Sequence, residues 1–169
     1  MKQALTVLMS VVFLGLATLV VAGEPDQAGC KDHPLFLARM PEYRIAACKV
    51  EDYGVYEFWS PKGPTTPVEG KFTFLTCSFA GQRASEPSNL AVVRNYENAI
   101  QKVGGTILQS VPSWWVNGKI VKNGQEAWAQ IEKENGAIWL RIVEKKAMEQ
   151  YIVAALGILP AHFGHCAAG

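Results

Sequence analysis

Three stretches of this 169-residue chain carry side chains whose types and spacing admit chemistry. Asp32-His33 sets a carboxylate next to an imidazole, the combination that orients a general base. Adjacent residues rarely aim at one point, and no motif places a serine or cysteine nucleophile near them. A turn or capping role therefore stands against a small hydrolase. His162-Phe163-Gly164-His165-Cys166 offers two imidazoles and a thiolate, which suit zinc or copper. The spacing matches no common structural zinc module and a fourth ligand is needed. The tail therefore reads as solvated, with His162, His165 and Cys166 only weak metal candidates and no cofactor expected. Trp114-Trp115 lies in a connection, where paired indoles either anchor a partner or cover one end of the core. Trp59, Trp128 and Trp139 fall in strand-like runs and read as packing residues. Glu126, Glu132, Glu134 and Glu144 scatter over a hairpin without forming a catalytic pair. There is no G-x-S-x-G, no phosphate loop and no H-E-x-x-H.

The elements that would position these residues are organised around Ser88–Gly105. Leu90, Val93, Tyr96, Ile100 and Val103 recur at helical spacing, with Arg94, Glu97, Asn98 and Lys102 on the remaining surface. Pro87-Ser88 suits the start of this helix and Gly104-Gly105 its stop. Before it, residues 43–50 and 55–59 alternate as strands around a turn at Asp52–Gly54. Residues 60–70, with three prolines and two glycines, predict a loop. Residues 71–79 are apolar on both faces and predict a central strand. After the helix, residues 106–111 predict a strand, 112–118 a connection and 119–121 a brief strand. Residues 126–133 and 137–144 then alternate around Asn135-Gly136, a hairpin signal because both residues tolerate positive φ. Residues 145–156 predict a second helix, ended by Pro160. The run Tyr151–Leu159 is too short to span a bilayer and reads as part of that helix. The fold class is α+β: a mostly antiparallel sheet with one principal helix packed on one face and a second, C-terminal helix.

Residues 1–22 have the form of a secretory signal: Lys2, then an apolar run, then Val20-Val21-Ala22 before Gly23. The domain reading is a signal at 1–22, a flexible lead-in at 23–30, one α+β domain at 31–158 and a loose tail at 159–169. Lys2 is the only charge in the signal, so the 15 other Lys and Arg balance the 15 Asp and Glu of the remainder. A neutral chain lacks the basic excess of a nucleic-acid binder. Export makes Cys30, Cys48, Cys77 and Cys166 candidates for one or two structural disulfides. Three pairings are open.

Lys31-Asp32-His33-Pro34, Met40-Pro41, Tyr56-Glu57-Phe58, Arg94-Asn95-Tyr96-Glu97-Asn98-Ala99-Ile100, Lys122-Asn123-Gly124-Gln125-Glu126 and Ile142-Val143-Glu144-Lys145-Lys146-Ala147-Met148 follow in that order. This succession resembles a domain of unknown function found before the peptidoglycan-binding domain of outer-membrane protein A (OmpA)-like envelope proteins in Gram-negative bacteria. It covers about residues 31–150. Asp32, His33, Arg94, Tyr96, Glu97 and Asn98 are its signature residues here. The resemblance implies a periplasmic, envelope-associated protein with an envelope or outer-membrane protein as partner. It implies no activity. The residues that grip peptidoglycan in the second domain have no counterpart, so peptidoglycan binding is not carried by this chain. The expectation is thus an exported binding or structural module. A small periplasmic hydrolase using Asp32 and His33, or a metal-binding envelope protein using the tail, stands as the alternative.

Overall fold

The structure is a computed structural model that describes residues 24–35, 39–60 and 63–149. Its strands are β1 (Tyr43–Ser60), β2 (Gly63–Phe79), β3 (Thr106–Val111), β4 (Trp115–Lys122), β5 (Gln125–Glu134) and β6 (Ala137–Lys145). They form one sheet in the order β1-β2-β6-β5-β4-β3, antiparallel throughout. One helix, α1 (Asn89–Lys102), packs on one face. The class is therefore α+β and mostly sheet. Of the second helix expected at 145–156, Lys145 instead ends β6 and residues 146–149 take no regular structure; the rest lies outside the described residues. The signal segment and the tail with His162, His165 and Cys166 also lie outside them.

The helix is punctuated as its sequence predicts. The Ser88 hydroxyl accepts from the Ala91 N–H at 3.2 Å, and Gly104 follows at φ 82°. Its buried face is Val92, Val93, Tyr96, Glu97 and Ile100. Glu97 thus departs from its expected surface position. Its carboxylate is satisfied inside, by Arg94 Nη1 at 2.6 Å and by the Ser110 hydroxyl. Leu90 and Val103, at the two ends of the predicted stripe, stay exposed. Opposite the helix lie Ile45, Leu75, Cys77, Val116, Ile120, Ala129, Ile131, Ile138, Leu140 and Ile142, the inward residues of five alternating strands. Ile100 sits directly on Gly118, where a Cβ would come within 2.8 Å of its Cδ1. That close approach explains why a glycine read as a break lies inside β4, which starts at Trp115 rather than at Lys119.

Two further strand expectations change. Residues 43–50 and 55–59 are one strand, because Asp52–Gly54 is accommodated as a bulge between Glu51 and Gly54 rather than as a turn. Residues 63–70 are strand rather than loop. β6 stops pairing with β2 at Gly70, so beyond it β2 bonds only to β1. A strand with a free edge accommodates Pro64 and Pro67, which lack an N–H to donate. The outer halves of β1 and β2, from Gly54 and Gly70 onward, thus form a two-stranded arm that leaves the sheet. Gly54 and Gly70 pair directly at its root. Gly70 has φ 155° and its absent Cβ would lie 2.1 Å from the Glu144 carbonyl oxygen. The arm crosses the sheet face opposite α1, where Phe58, Val68 and Val143 form a second core with Tyr56, Phe72 and Trp128.

Candidate binding face

The structure separates Asp32 from His33. Asp32 Oδ1 accepts from Arg39 Nε at 2.7 Å. His33 turns into the sheet, 6% exposed, with Nε2 at 3.2 Å from Glu144 Oε1. Its Nδ1 accepts from the Leu35 N–H at 3.2 Å, so the proton sits on Nε2 and is donated to Glu144. Burial lowers the His33 pKa, against a smaller opposite pull from Glu144. Both ring nitrogens are engaged, and neither faces Asp32. This is the geometry of a tether. It holds residues 30–35 over the end of the core that α1 leaves uncovered, where a cavity of about 220 Å³ is lined in part by Asp32, His33, Lys71 and Glu144.

The segment expected to be a mobile lead-in carries its own anchors. Gln27 N donates to Ile45 O at 2.8 Å, and Asp26 Oδ1 accepts from Ile45 N at 2.8 Å. Arg39 binds Asp26 through both terminal nitrogens, which holds the Asp26 carboxyl below its ordinary range. Cys30 pairs with Cys48. Cys77 is a free thiol under the helix face, and burial pushes its pKa up to about 11. Among the described residues no cluster of three or more His, Cys, Asp or Glu is arranged to hold a metal.

Of the helix residues that carry the resemblance, Tyr96 and Glu97 are buried in the helix interface, while Arg94 and Asn98 face outward. Burial raises the Tyr96 pKa. Tyr96 and Glu97 hold α1 to the sheet, and Tyr96 lies within electrostatic reach of Asp32, while His33 is turned to Glu144. Trp114 and Trp115 also part company. Trp114 caps the β3–β4 turn at 55% exposure, whereas Trp115 begins β4 and is 5% exposed. Trp115 packs instead on Trp59, ring centroids 5.9 Å apart, and Trp59 is 52% exposed. Two exposed indoles thus adjoin buried Trp115, Trp59 through ring contact and Trp114 as its neighbour in the chain.

The face under the arm was not visible as a site in the sequence. Register places Gln109 opposite Asn117, Asn117 opposite Gln130, Gln130 opposite Arg141 and Arg141 opposite Phe74. Successive strands set these neighbours about 4.8 Å apart in one row. Asn117 Nδ2 donates to the Trp59 carbonyl at 2.8 Å and Gln130 Nε2 to Glu132 Oε1 at 2.6 Å. Both partners only accept, which fixes each amide's orientation. Asn117 Oδ1, Gln130 Oε1 and Gln109 Oε1 are left buried without a hydrogen-bond donor. Arg141 Nη1 lies 2.9 Å from Glu132 Oε2, off hydrogen-bond geometry, and the guanidinium stands 5.4–5.8 Å from the rings of Phe74, Tyr56 and Trp139. Each orphaned acceptor costs roughly 1–3 kcal/mol. Burying Phe58 beneath the arm stabilises by about the same amount.

One signal in the sequence does encode this row. Gln130 and Arg141 are symmetric about Asn135-Gly136, whose φ values of 48° and 79° make the tight turn. Asn117 and Gln130 are symmetric about Asn123-Gly124 in the same way. Counting outward from two Asn-Gly turns puts the three side chains in line.

A cavity of about 620 Å³ opens where β6 ends beside the arm. Val68, Pro67 and Trp128 give it an apolar wall, with Glu69 and Tyr53 on one rim and Glu126, Lys145 and Lys146 on the other. Glu126 accepts from Trp128 Nε1 at 2.7 Å, and this bond, with Lys145 and Lys119 nearby, lowers its pKa.

Together the described residues define a bent six-stranded antiparallel sheet with a helix on one face and a folded-back arm on the other. A scan against protein-family models and searches of the curated proteins and of the solved structures find no match.

Proposed function

We propose that this protein is an exported, periplasmic module of the Gram-negative cell envelope that works by binding, and that its contact surface is the Trp59–Trp114 corner. The observation that carries the reading is the exposure of these two indoles beside buried Trp115. Aromatic side chains held on a rigid scaffold lose little entropy on contact and dominate interface energetics. The signal-like segment and the Cys30–Cys48 disulfide suit an oxidising compartment. The resemblance over residues 31–150 supplies the envelope setting and an outer-membrane protein as the class of partner. The divergence of Asp32 and His33 favours binding over hydrolysis.

The test is co-purification of the mature protein from envelopes, as wild type and as the Trp59→Ala, Trp114→Ala double variant. The reading expects one envelope protein to be retained by the wild type and lost from the variant, with thermal stability within about 1 kcal/mol of wild type. Retention undiminished by the double substitution would place the contact elsewhere.

A further inference from the structure

We propose that the row Gln109–Asn117–Gln130–Arg141 is a binding site for a neutral oligosaccharide, and that the β1–β2 arm is the lid over it. This does not rest on the envelope partner proposed above, although Trp59 belongs to both, its indole to the exposed pair and its carbonyl to the lid contact with Asn117.

The first argument is the placement of the orphaned groups. Three buried amide oxygens without donors fall in one cross-strand row, and Asn117 and Gln130 are at least 98% buried. A core built only for stability would fill such positions with apolar side chains or satisfy them. The second is the chemistry of the row and its flanks. Amide and guanidinium groups spaced one strand apart present alternating acceptors and donors, as vicinal hydroxyls require. Aromatic residues border the row on both sides: Trp115 and Trp139 in one flanking register line, Trp128 and Phe72 in the other. Sugar rings present apolar C–H faces to such indoles and hydroxyls to such amides. The Arg141 charge is already matched by Glu132 at 2.9 Å, so the row offers no net charge to an anion, and the ligand is neutral.

The third argument is the arm. It departs at the paired glycines Gly54 and Gly70, at the point where β6 stops. Beyond them it has no ladder bonds to the rest of the sheet. The Asn117–Trp59 hydrogen bond, the Trp59–Trp115 contact and the insertion of Phe58 hold it down. Lifting it exposes the row while leaving the helix-side core intact. The closed arm reduces apparent affinity by the fraction of molecules that are open.

The experiment uses the mature protein and a panel of neutral oligosaccharides of differing linkage, with and without N-acetyl groups. Binding is read by calorimetry and arm opening by amide hydrogen exchange. Wild type is expected to bind at least one sugar, with exchange in Val55–Trp59 faster than in β5 and changed by the ligand. Gln109→Met and Gln130→Met are expected to weaken binding at least tenfold; Gln109→Met should leave the melting temperature unchanged or raised because it removes an orphaned acceptor, whereas Gln130→Met also gives up the bond to Glu132. Phe58→Ala is expected to tighten apparent binding several-fold by releasing the lid. If that variant does not fold, the wild-type exchange and the two methionine variants decide the question alone. Absence of binding across the panel, or binding unaffected by both methionine variants, would overturn the proposal. So would arm amides that exchange as slowly as those of β5.

Discussion

His33 Nε2 and Glu144 Oε1 lie 3.2 Å apart and join the N-terminal strap to the end of β6 across 111 residues. The bond turns a sequence motif that looks like half of a catalytic apparatus into a clasp. It also makes the clasp sensitive to acid. The unfolded His33 protonates near its ordinary value of 6.5, and burial sets the folded value lower. The unfolded state therefore binds the proton more tightly. The His33 contribution to stability is complete above pH 6.5 and declines as pH falls from there through the folded pKa. Denaturation midpoints between pH ~7.5 and ~5 should fall in wild type more than in His33→Gln. Equal slopes would remove His33 from the account.

The disulfide should matter more than any single hydrogen bond of the strap. Cys30 and Cys48 enclose a separation of 18 residues, for which loop-closure entropy gives about 3 kcal/mol. Cys30→Ala with Cys48→Ala is expected to lower unfolding free energy by about that much in urea, and the Cys77 thiol should resist labelling until the protein unfolds.

Glu86 and Lys133 form a pair whose loss should be costly. Lys133 is almost fully buried with Nζ 2.6 Å from Glu86 Oε1, and its ammonium also stands 5.9 Å from the Tyr43 ring. Glu86→Gln strands that charge in the core and is expected to cost roughly 3 kcal/mol. Replacing both partners, Glu86→Gln with Lys133→Met, should recover most of the loss. A double variant as unstable as the single one would contradict this.

The bend at the root of the arm predicts a sharper effect. Gly70→Ala would place a Cβ 2.1 Å from the Glu144 carbonyl oxygen at φ 155°. It is expected to destabilise by more than about 3 kcal/mol or to prevent folding. Gly63→Ala meets nothing within 4 Å and should be near neutral, measured by the same thermal melts.

Periodicity and turn chemistry made much of this fold legible. The α1 stripe with its Ser88 cap, the apolar β2 segment 71–79 and the Asn135-Gly136 hairpin follow directly from residue spacing. The arm did not, because Pro64 and Pro67 signal a loop unless one already knows that β6 stops at Gly70 and leaves that edge unpaired. Gly118 misled for a similar reason: only the packing of Ile100 explains it. Of the site, the two Asn-Gly turns encode the register of the row, but nothing in the spacing shows the arm that covers it. Asp32 and His33 are neighbours in sequence and diverge in space, whereas Asn117, Gln130 and Arg141 are far apart in sequence and align through register.

The central claim is that the protein is exported and meets an envelope partner at the Trp59–Trp114 corner. Its most direct test replaces Trp114 with a photo-crosslinking phenylalanine in Gram-negative cells, with mass spectrometry of the captured species and of the N-terminus. The account predicts a mature chain beginning at Gly23, crosslinked to one outer-membrane or envelope protein, and loss of that product when Trp59→Ala is added. An uncleaved chain in the cytoplasm, or an exported chain recovered only as an uncrosslinked species, would contradict it.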